Sequence, residues 1–169
     1  AGYGGEANFL ITKAGQASAE MKPPASDGTW SANSHAWSIE ADGTGNWPFN
    51  TAYAASLTGH ALVTRLRSLR DVERFIAVGI PVVLSIAFDR GGLDGAPISS
   101  TDGHLLVVVG FTSSGDVVVN DPAASTRAGV RRTYDRGQVE DAWLPTTGGT
   151  VYVISDDAHP LPESPRRTW

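Results

Sequence analysis

Two polar residues, His104 and Asp121, stand near the ends of a strongly apolar segment that reads DGHLLVVVGFTSSGDVVVNDP over residues 102–122. An imidazole held by a carboxylate can take a proton from a nucleophile, and such a pair is the base half of a nucleophilic triad. A histidine at the mouth of a strand is also a common hydrogen-bonded core residue, and Asn-Asp-Pro is an ordinary turn sequence. The pattern therefore indicates a candidate base and its partner, and geometry has to decide between the two interpretations.

The segment that carries these two residues predicts a β-hairpin. Its apolar runs at 104–111 and 117–120 are rich in valine and are joined by the turn sequence Ser-Ser-Gly-Asp at 113–116. The nearly unbroken hydrophobicity favours strands that are buried on both faces. In an antiparallel hairpin the start of one strand lies beside the end of the next, so His104 and Asp121 are expected to be neighbours in space.

The rest of the chain alternates between helical and strand patterns. Short Gly-rich and Pro-rich stretches separate these patterns, and no internal repeat or interdomain linker is visible. The elements expected from N- to C-terminus are a helix cut short by Pro23 at 14–21, a helix at 51–57, a strand at 61–67, a helix at 68–79, a strand at 80–87, a short strand at 131–133, a helix from Asp135 through Trp143 and a strand at 150–154.

Length and composition limit the number of domains and the classes of partner that this protein can have. A chain of 169 residues with 41% hydrophobic content can form one domain with a sizeable core. The formal net charge of −5 argues against general binding of nucleic acid or anionic lipid, and the arginines within 65–74 are predicted to lie on solvent-exposed faces. No apolar run approaches the roughly 20 residues that span a bilayer, so no membrane insertion is expected.

The chain contains no cysteine, which excludes disulfides, thiolate metal sites and a cysteine nucleophile in this sequence. Its four histidines are scattered and lack the spacing that is typical of zinc ligands. The Gly-rich segment 42–50 lacks the full series of oxygen ligands that a calcium loop requires. We therefore expect no metal and no cofactor.

Several motifs occur in order from Asp42 to the C-terminus: DGTGNWPFNTAYAA, VTRLRSL, GHLLVVVGF, VVVNDPA, YDRGQVEDAW and GGTVYVI. With these motifs the chain resembles papain-like cysteine peptidases of the bacteriocin-processing (double-glycine, C39-like) type, in their secreted bacterial branch. The resemblance implies an α+β fold, with an N-terminal helical part packed on a twisted antiparallel sheet. It also implies one domain over residues 1–169, with a divergent N-terminal part at 1–41 and an extended tail at 155–169.

The same resemblance implies roles for individual residues. The family's histidine and aspartate fall on His104 and Asp121, and its nucleophilic cysteine falls at the start of an early helix, where the helix dipole lowers the thiol pKa. In AGQASAEM, residues 14–21, Ala14 occupies that cysteine position, and a rival alignment places Phe9 there. Asn8 occupies the place of the amide that helps to hold the oxyanion, about six residues ahead of the nucleophile.

The activity implied by the resemblance is peptide-bond hydrolysis through a Cys-His-Asp triad, in a form made inactive by alanine at the nucleophile position. The expected partner is a peptide or protein substrate. Residues 42–50 and 89–103 are predicted to be loops, and these loops are expected to wall a groove in which Trp47, Asp102 and Gly103 bind substrate. We expect a monomer that is secreted or held in a bacterial cell envelope. Two alternatives stay open, namely a natural pseudoenzyme that binds peptide and a papain-like acyl transferase.

Overall fold

A computed structural model describes residues 47–165 and residue 169 of the chain. The predicted helix at 14–21 therefore lies outside the described residues. The helices and strands are α1 (Trp47–Thr58), β1 (His60–Arg65), α2 (Leu69–Ala77), β2 (Val82–Phe88), β3 (Thr101–Phe111), β4 (Val117–Asn120), β5 (Arg131–Tyr134), α3 (Arg136–Thr147) and β6 (Thr150–Ser155), with a 3₁₀ turn at Arg127–Gly129.

The strands form one six-stranded sheet in the order β1-β6-β2-β3-β4-β5. Strand β2 pairs antiparallel with β3 and β6, and β4 pairs antiparallel with β3 and β5. The predicted α+β class with an antiparallel sheet is confirmed. By its internal contacts the described part of the chain divides into two compact units, one with residues 47–62 and 154–157 and the other with residues 63–153, 158–165 and 169.

The predicted hairpin is the centre of the larger unit. Its two strands are β3 and β4, and the turn between them is closed by a hydrogen bond of 2.9 Å from the Thr112 N–H to the Asp116 carbonyl. Gly115 supplies the positive φ of 96° that this turn requires. Residues 105–108 of β3 are all buried, as the unbroken apolar run predicts. Strand β3 begins at Thr101, so the prediction that 101–103 belong to a loop is wrong.

Two helices cover the sheet of the larger unit. Helix α2 buries Leu69, Val72 and Phe75, which recur at helical spacing. Helix α3 begins as predicted, because the Asp135 side chain accepts a hydrogen bond from the Gln138 N–H. It runs beyond Trp143 to Thr147 although Pro145 lacks an N–H. The Thr147 hydroxyl ties the end of this helix to the sheet, since it lies 3.0 Å from the Trp143 carbonyl and 2.6 Å from the Ser85 carbonyl of β2.

One predicted boundary differs from the structure at the N-terminal edge of the described chain. Helix α1 begins at Trp47, so the prediction that 47–50 form a loop is wrong. Pro48 is compatible with this start because the first turn of a helix leaves its N–H groups unpaired in any case. At the other end the tail is anchored, because the Trp169 ring lies 4.8 Å from the Phe75 ring, and the Trp169 indole N–H donates to the Pro162 carbonyl at 2.7 Å.

Candidate active site

The carboxylate of Asp121 lies where β4 ends and is almost completely buried, at 1% exposure. Its backbone N–H donates to the Val130 carbonyl at 2.8 Å, which continues the pairing of β4 with the chain before β5. Its Oδ1 accepts a hydrogen bond of 2.9 Å from the Ala123 N–H, two residues further along. This Asx turn explains why Asn-Asp-Pro follows the strand, and it fixes the direction of the aspartate side chain.

Tyr134 supplies a second hydrogen bond to this carboxylate, from its hydroxyl to Oδ2 at 2.8 Å. Tyr134 pairs with Val117 at the opposite end of β4, and alternation places 117, 119 and 121 on one face of the sheet. The tyrosine ring must therefore run along that face to reach Asp121. Burial, together with the hydrogen bond to Asp121, raises the pKa of the Tyr134 phenol, so the phenol stays neutral and acts as a donor.

His104 completes the cluster, with its Nε2 at 2.8 Å from Asp121 Oδ1. Burial by itself raises the pKa of Asp121, but hydrogen bonds from His104, Tyr134 and Ala123 outweigh it and hold that pKa below its usual value. Asp121 is therefore ionised at neutral pH, and a carboxylate can only accept hydrogen bonds. Hence the Nε2 of His104 donates, and Nδ1 of the neutral ring carries the lone pair.

A β-bulge lies immediately before His104 in β3. Ile86 of β2 pairs with His104, but Phe88 pairs with Thr101, so β3 holds one residue more than β2 in this interval. The extra residue lies at Asp102 or Gly103, immediately before the histidine. Bulges bend a strand and redirect side chains, and they are common beside active sites. The His104 side chain stays 14% exposed, and across 47–165 and 169 no hydrogen bond to its Nδ1 is present.

The loop before β3 is tied to the strand and helix that follow the hairpin. Asp94 and Gln138 exchange two hydrogen bonds of 2.9 Å, one from the Asp94 N–H to the Gln138 side chain and one back to the Asp94 carboxylate. Arg132 donates to the Gly95 carbonyl at 2.8 Å. The side chain of Leu93 is buried. The loop that precedes β3 and His104 is therefore fixed near its middle by these contacts.

The structure brings together two of the predicted site residues, His104 and Asp121. Asp102 and Gly103 are exposed in the strand just before the histidine. Ala14, its rival Phe9 and Asn8 lie outside the described residues, and so does the side chain of Trp47. The substrate-binding and catalytic roles of all these residues stay predictions.

Sequence reasoning missed Tyr134, although one signal was present. It is an aromatic residue at the end of the short strand RRTY, and it stands two positions from Arg132 on the same face. Nothing local says that this face is the one that holds Asp121, because the pairing of β5 with β4 decides it. Over the described ranges no group of acidic, histidine or cysteine side chains could hold a metal ion.

This arrangement can supply general acid and base chemistry. A neutral imidazole oriented by a buried carboxylate can take a proton at Nδ1, and the carboxylate stabilises the imidazolium that forms. The cluster holds no nucleophile of its own, and the chain has no cysteine that could supply one. No helix within 47–165 is long and apolar enough to cross a membrane.

Comparison with known proteins gives one family match. A model of the family described as "Peptidase_C39 like family" matches residues 14–151, a span that includes Ala14, His104 and Asp121. No match was found among curated proteins. Among solved structures, the chain is similar to a crystal structure from Bacillus anthracis that is provisionally described as a C39-like peptidase, at 15% identity and a TM-score of 0.46. The match spans 66% of this chain but only 58% of that one.

Proposed function

Because this chain belongs to the Peptidase_C39 like family, we propose that it is an inactive form of a cysteine peptidase in which Ala14 stands at the nucleophile position. His104 is the general base and acid of that site, and Asp121 orients it. The substrate class is a peptide or protein. In the chain as it stands a methyl group cannot attack a carbonyl, so no peptide bond is cleaved.

The observation that carries this proposal is the 2.8 Å contact between His104 Nε2 and Asp121 Oδ1, made by an aspartate that is 1% exposed. With Nε2 committed to the carboxylate, Nδ1 is the ring atom that can exchange a proton with a nucleophile. A surface ion pair would leave both nitrogens open to water. The buried acceptor instead selects one tautomer, which a triad requires.

With a thiol restored at position 14, the chemistry follows from these roles. The thiolate attacks the peptide carbonyl, and His104 protonates the departing amine from Nδ1 as the tetrahedral species collapses to a thioester. A water molecule then attacks the thioester while His104 removes its proton. The carboxylic acid leaves and the thiolate is regenerated, and Asp121 stays ionised throughout.

The complete lack of cysteine favours a second candidate, a natural pseudoenzyme that still binds peptide. The two candidates differ in what the site does when a thiol is present. In a peptidase that has lost only its nucleophile, a restored thiol meets a competent base. A site reshaped for binding alone has no reason to keep the imidazole within reach of position 14. The reactivity of a restored thiol therefore separates them.

The test is the pH profile of iodoacetamide labelling in Ala14→Cys, compared with Ala14→Cys/His104→Ala. A helix N-terminus and a neighbouring imidazolium both lower a thiol pKa below the ~8.5 of a free cysteine. We expect labelling at mildly acidic pH to be about tenfold or more faster in the single variant than in the double variant.

Phe9→Cys is the matched control for the rival alignment, and its labelling should follow that of an ordinary thiol. If Ala14→Cys labels like a free thiol with no dependence on His104, the proposal fails for position 14. If Phe9→Cys shows the dependence instead, the nucleophile position belongs to residue 9.

A further inference from the structure

Tyr134 is a buried polar residue that the proposed triad does not use. We propose that Tyr134 is a positioning residue, whose hydroxyl orients the Asp121 carboxylate so that Oδ1 faces His104 and the imidazole keeps its proton on Nε2. This inference rests on the proposed function, because it assigns a role within the same site. Tyr134 acts through Asp121 and would not touch substrate.

The division of hydrogen bonds between the two carboxylate oxygens supports this role. Among the described residues, Oδ1 accepts from His104 at 2.8 Å and from the Ala123 N–H at 2.9 Å, whereas the one donor to Oδ2 is Tyr134, at 2.8 Å. The terminal torsion of an aspartate is broad and roughly two-fold, so hydrogen bonds to one oxygen alone do not fix the plane of the carboxylate. A second hydrogen bond, to Oδ2, fixes the plane of the carboxylate. Without that donor, no residue in the described part of the chain would donate to Oδ2, a buried charged atom.

The chemistry of the donor matters as well as its position. A neutral phenol donates one hydrogen bond and leaves the negative charge of the carboxylate in place for His104. Among the described residues, two further ionisable groups act on the cluster, namely His104 from β3 on Asp121 and Arg132 from β5 on Tyr134. The Arg132 guanidinium is directed to the Gly95 carbonyl at 2.8 Å. Hence the hydroxyl of Tyr134, and not the arginine, is bonded to the carboxylate.

The backbone holds this hydroxyl firmly. Tyr134 is 2% exposed, is paired in register with Val117, and is followed directly by Asp135, which caps helix α3. A phenol ring has only two side-chain torsions, so little conformational entropy is lost when it is fixed. A rigid donor on a strand is what a precise hydrogen bond to a catalytic carboxylate requires.

The experiment observes the tautomer of His104 in the chain as it exists, without any cysteine. In ¹⁵N-histidine spectra, assigned with His104→Ala, we expect the neutral wild-type ring to favour the Nε2–H form by about tenfold or more, the strength of a hydrogen bond to a charged group. In Tyr134→Phe the two ¹⁵N shifts should move towards each other as the Nδ1–H form becomes populated. Asp121→Asn shows the change expected when the carboxylate is lost.

Tyr152→Phe is the matched control, since Tyr152 is also a nearly buried strand tyrosine, 9% exposed, and is not among the hydrogen-bond donors that lower the pKa of Asp121. We expect the His104 tautomer in this variant to equal that of the wild type. If the tautomer is unchanged in Tyr134→Phe but altered in Asp121→Asn, the inference is overturned. If Tyr152→Phe alters it as much as Tyr134→Phe, the effect is a general loss of packing and the inference is again overturned.

A second measurement covers the case in which Tyr134→Phe does not fold. In the wild-type chain the Tyr134 hydroxyl proton should exchange slowly enough to give its own resonance, and a rapidly exchanging hydroxyl would contradict the buried hydrogen bond. Failure of this inference is distinct from failure of the proposed function. The tautomer is measured without a thiol, whereas the proposed function depends on labelling of Ala14→Cys.

Discussion

His60 and His104 each place Nε2 against an aspartate Oδ1, at 2.7 Å from Asp157 and at 2.8 Å from Asp121. The side chains of the first pair are 59% and 94% exposed, and those of the second are 14% and 1% exposed. Water competes for every hydrogen bond of the exposed pair and screens its charges. The buried aspartate instead has its other donors within the protein, and only this pair can hold an imidazole in one tautomer.

The comparison shows that distance between a histidine and an aspartate does not by itself identify a site. Within the described residues, the two pairs differ in the number of further donors to the carboxylate and in the exclusion of solvent. Asp121 receives hydrogen bonds from Ala123 and Tyr134 in addition to His104. Removing parts of each pair in turn tests whether this difference controls stability.

The largest effect is expected from removal of the buried carboxylate. Asp121→Ala should lower the free energy of unfolding by roughly 3 to 5 kcal/mol, because the buried donors around it lose their acceptor. The matched control, Asp157→Ala, should cause little change, since its partner is exposed to water. Urea unfolding followed by circular dichroism measures both. Equal losses in the two variants would contradict the role assigned to burial.

A smaller effect is expected when each histidine is removed. His104→Ala should cost roughly 1.5 to 3 kcal/mol, the net strength of a hydrogen bond to a charged group, because Asp121 keeps its bonds from Tyr134 and Ala123. His60→Ala should unfold at nearly the wild-type urea concentration. A loss in His60→Ala as large as that in His104→Ala would mean that the exposed pair is more than a surface contact.

The smallest effect is a change in the acid dependence of stability. The folded state holds the pKa of Asp121 below its usual value, so the unfolded state binds more protons in acid and stability rises with pH there. The contribution of Asp121 is present above the unfolded pKa of about 3.9 and is lost as pH falls through the folded pKa. Asp121→Asn should therefore flatten the acid limb of a plot of unfolding free energy against pH. An acid limb as steep as that of the wild type would contradict the lowered pKa.

Much of the fold could be read from local pattern. The hairpin of β3 and β4, the start of α3 at Asp135 and the strand β6 all follow from apolar periodicity, caps and turn residues that lie within a few positions of one another. The boundaries that differ lie where local signals compete. Helix α1 begins four residues before the predicted start and α3 ends four residues after the predicted end, and Pro48 and Pro145 lie within those terminal turns.

The candidate site could be predicted in part for the same reason. His104 and Asp121 belong to one hairpin, so antiparallel pairing alone brings them near each other. Tyr134 could not be found in this way, because its contact with Asp121 depends on the pairing of β5 with β4 and on the direction of a ring along the sheet. The β-bulge before His104 likewise arises from the pairing of β2 with β3.

The sequence by itself determined the family, the absence of any thiol and the identity of a histidine and an aspartate held at the ends of one hairpin, since these depend on residue type and on neighbours along the chain. The tertiary structure alone decided which histidine and aspartate are buried together. His60 and His104 are the same chemical group, and their difference comes from the strands and helices packed around each. Burial is a property of that packing, because it sums contributions from segments that are far apart in the chain.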